Sequence, residues 1–219
     1  MAQRPVFIVK EKHPFYHLYS LTFTYNSGFS KAQKQKNIVS LHSEFGKTVL
    51  GREGKKIAEI SSKSLDPETV KLSAFKLQKF VPSLNKSVPV ECVFQAGKVF
   101  SNGGPYLDLL EAAPAKAKKD ERLRNSGRLI AFEFEGVRYP LEPKTIFYDW
   151  IYMNACLENP EISDYLLQFD AFTDIEFNPE KSINCQARSC AIYVALHRMG
   201  LTDRIRDFES YKSLIESGS

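Results

Sequence analysis

The chain lacks the features that mark membrane, secreted and metal-binding proteins. No stretch approaches the roughly 18 consecutive apolar residues of a membrane-spanning helix, and charges interrupt the first 13 residues, unlike the apolar core of a signal peptide. The four cysteines form no Cys-x-x-Cys pair and the four histidines are scattered, so no zinc ribbon or other metal centre is indicated. These absences predict a cytoplasmic protein with reduced thiols and no metal.

The composition is that of an ordinary globular protein. The chain has 219 residues, of which 43% are hydrophobic and 16 are Phe, which is enough apolar material for one sizeable core. The net charge of +4 is mildly basic, so contact with nucleic acid is permitted without being required. Internal repeats, low-complexity tracts and a convincing linker are all missing from the sequence, and we expect a single domain over residues 1–219.

Hydrophobic periodicity predicts an α+β fold that is mainly helical, with a small antiparallel β portion. One predicted helix opens at Val90, carries Glu91 and Lys98, and ends near Asn102. The predicted strands are Tyr16–Asn26, Lys56–Ser62, Val70–Phe80 and a pair within Arg128–Leu141 around Glu135-Gly136. The other predicted helices are Ser30–Phe45 with Ser30 as N-cap, Thr145–Leu157, Pro160–Phe169, Gln186–Met199 and Asp203–Ile215.

The stretch VECVFQAGKVF, residues 90–100, carries the most informative polar pattern. It places Glu91, Gln95 and Lys98 at positions i, i+4 and i+7, which share one face if the segment is helical. A carboxylate, an amide and an amine close together form a plausible acid/base cluster. The other interpretation is a solvated helix face, because Glu and Lys are good helix formers.

A second informative stretch covers residues 172–186, where polar side chains crowd between two apolar segments. Such groups are costly unless they are exposed or paired, so the stretch is either a plain exposed loop or a functional one. Asp174 and Glu176 alternate in a segment that is predicted to be extended, and they are expected to point the same way. A carboxylate pair on one face is suited to cation, ribose or acid/base chemistry.

Several motifs, taken in order, resemble the NADAR family. Residues 91–98 resemble its E-x-x-F-Q-x-x-K signature, and residues 71–75 its upstream L-S-N-F element, with Ala74 in place of Asn. Residues 148–167 resemble its later helix pair, and residues 173–179 its L-x-E-x-x-P element. The resemblance implies a NADAR (YbiA-like) domain with its core at residues 60–200, on which residues 1–60 pack as an N-terminal strand and helix extension.

The amino-acid sequence of residues 94–106 and 171–189 is most similar to that of NADAR antitoxins paired with DarT toxins. Those toxins attach ADP-ribose to guanine in DNA. The resemblance implies a hydrolase that removes this ADP-ribose and restores the base. The implied partners are ADP-ribosylated DNA, with ADP-ribose as the product ligand, and a cognate DarT-type toxin. No cofactor is implied.

The chemistry of the bond suggests roles for four residues. Breaking an N-glycosidic bond at ribose C1 develops positive charge on the sugar, and a nearby carboxylate can either stabilise that charge or activate water. Glu91, Asp174 and Glu176 are the candidates. Lys98 is expected either to protonate the departing base or to attack the open-chain sugar as a Schiff-base nucleophile.

Substrate contacts are expected from cations, aromatic rings and polar groups of the same segments. Lysines 31–36 and 116–119 are candidates for DNA phosphate contacts, and Lys71 is a further candidate for the diphosphate of ADP-ribose. The predicted substrate-binding residues are Lys63 and Lys181 for the diphosphate, Phe75, Phe94 and Tyr106 for base stacking, Ser73 in place of the missing Asn, and Gln95, Asn178 and Asn184.

Two other function classes stay open from the sequence. One is a small-molecule N-glycosidase of the riboflavin-linked NADAR type. Such enzymes carry Trp-Gly after the final Pro, whereas Glu180-Lys181 follows Pro179 here and the single Trp is Trp150, which argues against this class. The other is a non-enzymatic antitoxin that sequesters its toxin.

Overall fold

The computed structural model describes residues 1–217. Helix makes up 45% and strand 20% of the chain, which confirms the predicted α+β fold. The strands are β1 (Ala2–Val9), β2 (Tyr16–Phe23), β3 (Ile57–Glu59), β4 (Gln78–Val81), β5 (Lys86–Pro89), β6 (Lys98–Phe100), β7 (Leu129–Phe134), β8 (Val137–Tyr139) and β9 (Ala171–Thr173). The α-helices are α1 (Lys31–Gly46), α2 (Val49–Arg52), α3 (Pro67–Lys71), α4 (Val90–Ala96), α5 (Pro114–Ala117), α6 (Arg122–Asn125), α7 (Ile146–Glu158), α8 (Pro160–Ser163), α9 (Gln186–Arg198), α10 (Asp203–Arg206) and α11 (Phe208–Ser217), with 3-10 helices at Pro82–Leu84, Leu107–Glu111 and Asp164–Gln168.

The chain folds into two compact units. The terminal unit comprises residues 1–73 and the C-terminal part from Glu161, and the central unit comprises Ala74–Pro160. Across residues 1–217, no helix combines the length and the apolar character needed to cross a membrane.

The terminal unit is built on a four-stranded sheet in the order β2-β1-β9-β3. β1 is antiparallel to both β2 and β9, whereas β3 is parallel to β9. Val6 and Phe7 point to opposite faces of β1 and are both buried, so both faces are covered. β9 is an internal strand because it pairs with both β1 and β3, and it fixes the residues that follow it from Asp174 onward.

Helix α1 covers part of this sheet with the apolar stripe that its sequence predicts. Ile38, Leu41 and Phe45 recur at helical spacing and pack in one buried cluster with residues of β1 and β2. The Ser30 hydroxyl caps the helix by accepting a hydrogen bond from the Gln33 N–H at 3.2 Å. The predicted helix and its N-cap are confirmed.

The central unit packs α4 and the long buried helix α7 with two small antiparallel sheets, β4-β5 and β6-β7-β8. Aromatic rings fill much of its core. Phe132 of β7 stacks on Phe147 of α7 at 4.5 Å, and Phe94 of α4 meets Tyr148 edge-on at 5.1 Å. The predicted strand pair around Glu135-Gly136 is confirmed as β7 and β8.

Lys98 is not helical, so the predicted helix through this residue is wrong. Helix α4 ends at Ala96, and strand β6 begins at Lys98. Gly97 makes this change of direction possible: its N–H donates to the Val93 carbonyl, and its own carbonyl accepts from the Glu133 N–H of β7 at 2.7 Å. A Cβ at Gly97 would lie 2.6 Å from the Glu133 carbonyl oxygen, so only glycine allows this approach.

Replacing Gly97 by Ala is therefore expected to lower the free energy of unfolding by about 2 kcal/mol, because the new methyl group meets backbone that cannot easily move. Gly46→Ala is the matched control, since a Cβ there would meet no atom within 4 Å. Urea unfolding of both variants measures the difference. Equal stability of the two variants would contradict the proposed close approach.

Several other boundaries differ from the prediction. The strand predicted at 70–80 is wrong, because Pro67–Lys71 forms α3 and only Gln78–Val81 is extended. The segments predicted as single helices at 160–169 and 203–215 are each divided into two shorter helices. The sequence prediction also missed β1 and β5.

Candidate active site

The central unit holds three polar side chains in a continuous chain of hydrogen bonds. The Lys98 Nζ donates to the Gln95 Oε1 at 2.6 Å, and the Gln95 Nε2 donates to the Glu91 Oε1 at 2.8 Å. Glu91 and Gln95 lie one turn apart on α4, and Lys98 reaches them from the first residue of β6. We call these three residues the Lys98 cluster.

The Lys98 cluster is buried rather than solvated. Glu91 and Gln95 are each only 5% exposed, so the interpretation of this row as a wet helix face is wrong. A buried carboxylate is costly unless it is hydrogen-bonded or paired with a charge, and the Lys98 cluster supplies such partners. The prediction that the carboxylate, the amide and the amine come together is confirmed, although they do so across a helix–strand junction.

Burial changes the chemistry of the Lys98 amine. It lowers the pKa of Lys98 from 10.5 to about 8, with Glu91 opposing the shift and Lys118 adding to it. The amine also lies 4.8 Å from the centre of the Phe94 ring. With this pKa, about a tenth of the amine is neutral at pH 7, whereas an ordinary lysine is almost wholly charged. Lys98 is thus able to donate a proton or to act as a nucleophile.

Lys118 places an exposed positive charge next to the buried acid. Its side chain is 58% exposed, and its Nζ lies 3.6 Å from the Glu91 Oε1 and 5.4 Å from the centre of the Phe75 ring. Phe75 is only partly buried. A cation beside an accessible ring provides the contacts that a phosphate and an adjoining base need.

The remaining aromatic candidates differ in how far they are available. Phe94 is buried in the core against Phe132 and Tyr148. Tyr106 is partly exposed, its ring lies 4.5 Å from the Arg122 guanidinium, and its hydroxyl is hydrogen-bonded to Ser126. Tyr106 is therefore held in place by its neighbours.

The terminal unit holds a second polar group, at the ends of β3 and β9. The Glu59 Oε1 accepts from the Ile175 N–H, and its Oε2 accepts from the Thr173 hydroxyl, both at 2.8 Å. The carboxylate of Asp174 accepts from the Glu176 N–H and from the Gln186 Nε2, both at 2.9 Å. Glu59 is thus hydrogen-bonded to the residues on either side of Asp174. We call Glu59, Thr173 and Asp174 the Asp174 cluster.

Burial raises the pKa of both acids of this cluster. Burial, together with the nearby Glu59, raises the pKa of Asp174 from 3.8 to about 7. Burial also raises the pKa of Glu59. Asp174 is therefore able to donate a proton near neutral pH, a property that an exposed Asp lacks.

Glu176 does not point with Asp174, so the predicted extended alternation is wrong. The Phe177 N–H donates to the Asp174 carbonyl, which makes residues 174–177 a turn. Asp174 is buried, whereas the Glu176 side chain is 40% exposed and pairs with Lys34 at 3.0 Å. The turn arises because the Asp174 carboxylate accepts from the backbone two residues on.

A cavity of about 420 Å³ opens beside Glu59 in the terminal unit. His42 and Asp66 line it together with apolar groups such as Ile38 and Phe169. The His42 Nε2 is 3.0 Å from the Thr173 hydroxyl, and burial lowers the pKa of His42 to about 4, so the ring is neutral. The volume lies within the range of small-molecule sites.

The chain matches one family model along almost its whole length, over residues 2–219, and that family is described as the DarT1-associated NADAR antitoxin. The chain belongs to this family. A comparison with curated proteins returned no match.

The other predicted substrate contacts of this NADAR antitoxin lie in the terminal unit. The Ser73 hydroxyl is buried and donates to the Val70 carbonyl. The Lys71 amine pairs with Glu68 at 2.8 Å. Lys181 is exposed and Lys63 is partly exposed, while the side chain of Asn178 accepts from the Glu180 N–H and the Asn184 carbonyl accepts from the Ser182 hydroxyl. These positions stay predictions as substrate contacts.

Sequence reasoning missed Glu59 and His42 in the terminal unit and did not single out Lys118 in the central unit. Glu59 lies in a short strand whose pattern is that of any half-buried strand, and only its register against β9 places it beside Asp174. Lys118 is one of three lysines within residues 116–119, and the sequence does not distinguish them. For Glu59, the sequence signal was a charged residue in a predicted strand, because such a residue is rarely buried unless it is paired.

The raised pKa of Asp174 leads to a stability prediction for this NADAR antitoxin. The folded state holds Asp174 protonated, so its contribution to stability is complete below the ordinary pKa of Asp and is lost as the pH rises through about 7. Asp174→Asn is therefore expected to raise the free energy of unfolding at about pH 8 by roughly 2 kcal/mol, with no gain near pH 3. Denaturant titrations at several pH values measure this difference. The exposed Asp164→Asn is the control, and an equal gain in both variants would contradict the assignment.

Proposed function

We propose that this NADAR antitoxin hydrolyses the N-glycosidic bond between ADP-ribose and guanine in DNA, and so reverses the modification made by a DarT-type toxin. Residues 1–219 are proposed to act as one NADAR domain. The observation that carries the proposal is the buried chain of hydrogen bonds from Lys98 through Gln95 to Glu91. A surface patch used only to bind a toxin has no need of a partly buried amine whose pKa is lowered to about 8.

The reaction has simple requirements. The bond between ribose C1 and the guanine nitrogen breaks, with the electron pair going to the base, and the base takes up one proton. Water adds to C1 and loses a proton, which gives ADP-ribose and unmodified guanine. The enzyme must therefore supply an acid for the base and a negative charge near C1.

Lys98 is proposed as the acid for the departing base. At its pKa of about 8 the amine is mainly protonated at neutral pH, yet it gives up the proton far more readily than an ordinary lysine. The Gln95 carbonyl oxygen orients the ammonium group. Glu91 is proposed to stabilise the positive charge at C1 and to activate water, while Lys118 and Phe75 are proposed to contact the diphosphate and a base.

Schiff-base attack by Lys98 is the competing mechanism, and borohydride separates the two. A Schiff base links the lysine nitrogen to the sugar, so reduction during turnover would attach ADP-ribose covalently to Lys98. Proton donation predicts an unmodified protein after the same treatment. Intact mass measurement gives the answer in one experiment.

Asp174 is proposed as a second acid because it retains a proton near neutral pH. Glu59 is proposed as a positioning residue, since its carboxylate accepts from the Thr173 hydroxyl and from the Ile175 backbone N–H. The role of Glu176 in catalysis stays a proposal; its carboxylate is 40% exposed and paired with Lys34.

The function is tested by offering the protein two substrates. One is a DNA oligonucleotide that carries ADP-ribosylated guanine, and the other is the pyrimidine intermediate used by riboflavin-linked NADAR enzymes. The proposal predicts turnover of the DNA. Turnover of only the pyrimidine would instead show a small-molecule N-glycosidase, and turnover of neither, combined with a stable complex with the toxin, would show a sequestering antitoxin.

A further inference from the structure

One aromatic side chain of the terminal unit stands fully in solvent. Phe29 is 99% exposed, in the loop of residues 24–30 between β2 and α1. Tyr25, in the same loop, is 40% exposed and packs edge-on against Phe23 at 6.4 Å. A single exposed apolar residue needs no explanation by itself. The way in which the loop holds Phe29 is the informative feature.

The loop is fixed by hydrogen bonds from α1. The Asn37 Oδ1 accepts from both the backbone N–H and the side-chain amide of Asn26, and the Asn37 Nδ2 donates to the Asn26 carbonyl. The Gln33 Nε2 donates to the Ser27 carbonyl at 2.7 Å. Asn37 is itself completely buried, so the first of these anchors is rigid. Phe29 is thus presented by an ordered loop.

Gly28 completes the presentation. Its φ of +123° lies in the region that favours glycine, and a Cβ there would lie 2.9 Å from the Gln33 Cγ. Ser30 then caps α1 directly after Phe29. The backbone on both sides of Phe29 therefore has a defined conformation, in which the ring is exposed to solvent.

Lysines of α1 place positive charge on the helix side of this loop. Lys31 and Lys36 are exposed, and the first turn of α1 has no acidic residue. Lys34 pairs with Glu176, which lies two residues beyond Asp174, so the basic stretch adjoins the Asp174 cluster. Phe29 is thus an exposed ring followed along the chain by exposed lysines, and proteins hold single-stranded nucleic acid by stacking bases on rings and pairing phosphates with lysines.

We propose that Phe29, with Lys31 and Lys36, binds an unpaired segment of the DNA strand that carries the modified guanine. This inference rests on the proposed function and adds a strand-binding element to it. A base stacks on Phe29, and the lysines contact the adjoining phosphates. A protein partner fits less well, because the neighbourhood of the ring is cationic rather than broadly apolar.

The test is the affinity for an unmodified single-stranded oligonucleotide, measured by fluorescence anisotropy without any turnover. Phe29→Ala is expected to weaken binding about 5- to 100-fold, which corresponds to the loss of one stacked base. Phe29→Trp is expected to bind at least as tightly as the unaltered chain. Lys31→Gln and Lys36→Gln are each expected to lower the slope of log affinity against log salt by about 0.7.

Two matched variants control for general effects of lost apolar area and lost charge. Val49→Ala removes another exposed apolar side chain (61% exposed) beyond the other end of α1, about 24 Å along the helix. Lys12→Gln removes an exposed lysine in the turn between β1 and β2, at the end of the hairpin remote from Phe23. Neither control is expected to change DNA affinity by more than twofold.

The Phe29→Trp variant also gives a direct readout of stacking. The chain has one Trp, Trp150, which is buried, so the added indole supplies the exposed signal. Quenching of that signal by the oligonucleotide is expected. Unchanged affinity of Phe29→Ala, or failure of the unaltered chain to bind the oligonucleotide, would overturn the inference. The proposed hydrolysis fails separately, if the unaltered chain releases no ADP-ribose from modified DNA.

Discussion

Lys98→Met is expected to slow the release of ADP-ribose from modified DNA by about a thousandfold or more. Methionine fills nearly the same space but has no proton to give and no amine nitrogen that can form a Schiff base. Both mechanisms considered for Lys98 need its amine, so both lose their reactive group. The measurement is the single-turnover rate of ADP-ribose release, with excess protein over DNA.

The fold provides suitable comparisons for this variant. Lys86 is an exposed lysine of β5 in the same unit and pairs with Glu111, so Lys86→Met removes a charge without touching the Lys98 cluster. Lys98→Arg keeps the positive charge but cannot lose its proton, and it is expected to be nearly as inactive as Lys98→Met. A Lys98→Met rate within tenfold of the unaltered rate would remove Lys98 from the chemistry.

Glu91→Gln is expected to cause the second-largest loss, about 10²- to 10⁴-fold in the same rate. Glutamine keeps the shape of the side chain and an oxygen that accepts from the Gln95 amide, so the loss reports the missing negative charge. Glu111→Gln, at an exposed carboxylate of the same unit, is the control and is expected to leave the rate unchanged.

The residual activity of Glu91→Gln also carries information. Glu91 opposes the lowering of the Lys98 pKa, so its neutralisation is expected to move the pKa of Lys98 below 8. The alkaline limb of the pH–rate profile is then expected to shift to lower pH. A lower rate with an unshifted profile would indicate that Glu91 acts on the substrate without influencing the Lys98 amine.

The sequence predicted correctly which side chains of the Lys98 cluster lie close together, but not the secondary structure that brings them there. Glu91, Gln95 and Lys98 come together as expected from a helix, but Lys98 reaches the cluster from a strand. The difference depends on Gly97, whose close approach to Glu133 involves a residue 36 positions away in β7. No local pattern contains that information, because it arises from tertiary packing.

The start of helix α3, by contrast, carries a clear local signal in the sequence. Asp66 followed by Pro67 is a helix start, since the Asp side chain caps α3 and Pro occupies its first turn, yet the segment was predicted to lead into a strand. Glu59 illustrates the opposite case. Its closeness to Asp174 depends on β3 and β9 being parallel neighbours although they lie 112 residues apart, from Glu59 to Ala171.

The mass of the DNA after reaction tests the central claim most directly. An oligonucleotide with one ADP-ribosylated guanine is incubated with the protein and weighed intact. Cleavage at ribose C1 predicts that the oligonucleotide returns to the mass of unmodified DNA, with free ADP-ribose in solution. An oligonucleotide that retains a ribose phosphate would show cleavage of the diphosphate instead, and an oligonucleotide at its starting mass would show no hydrolysis; either result would contradict the account.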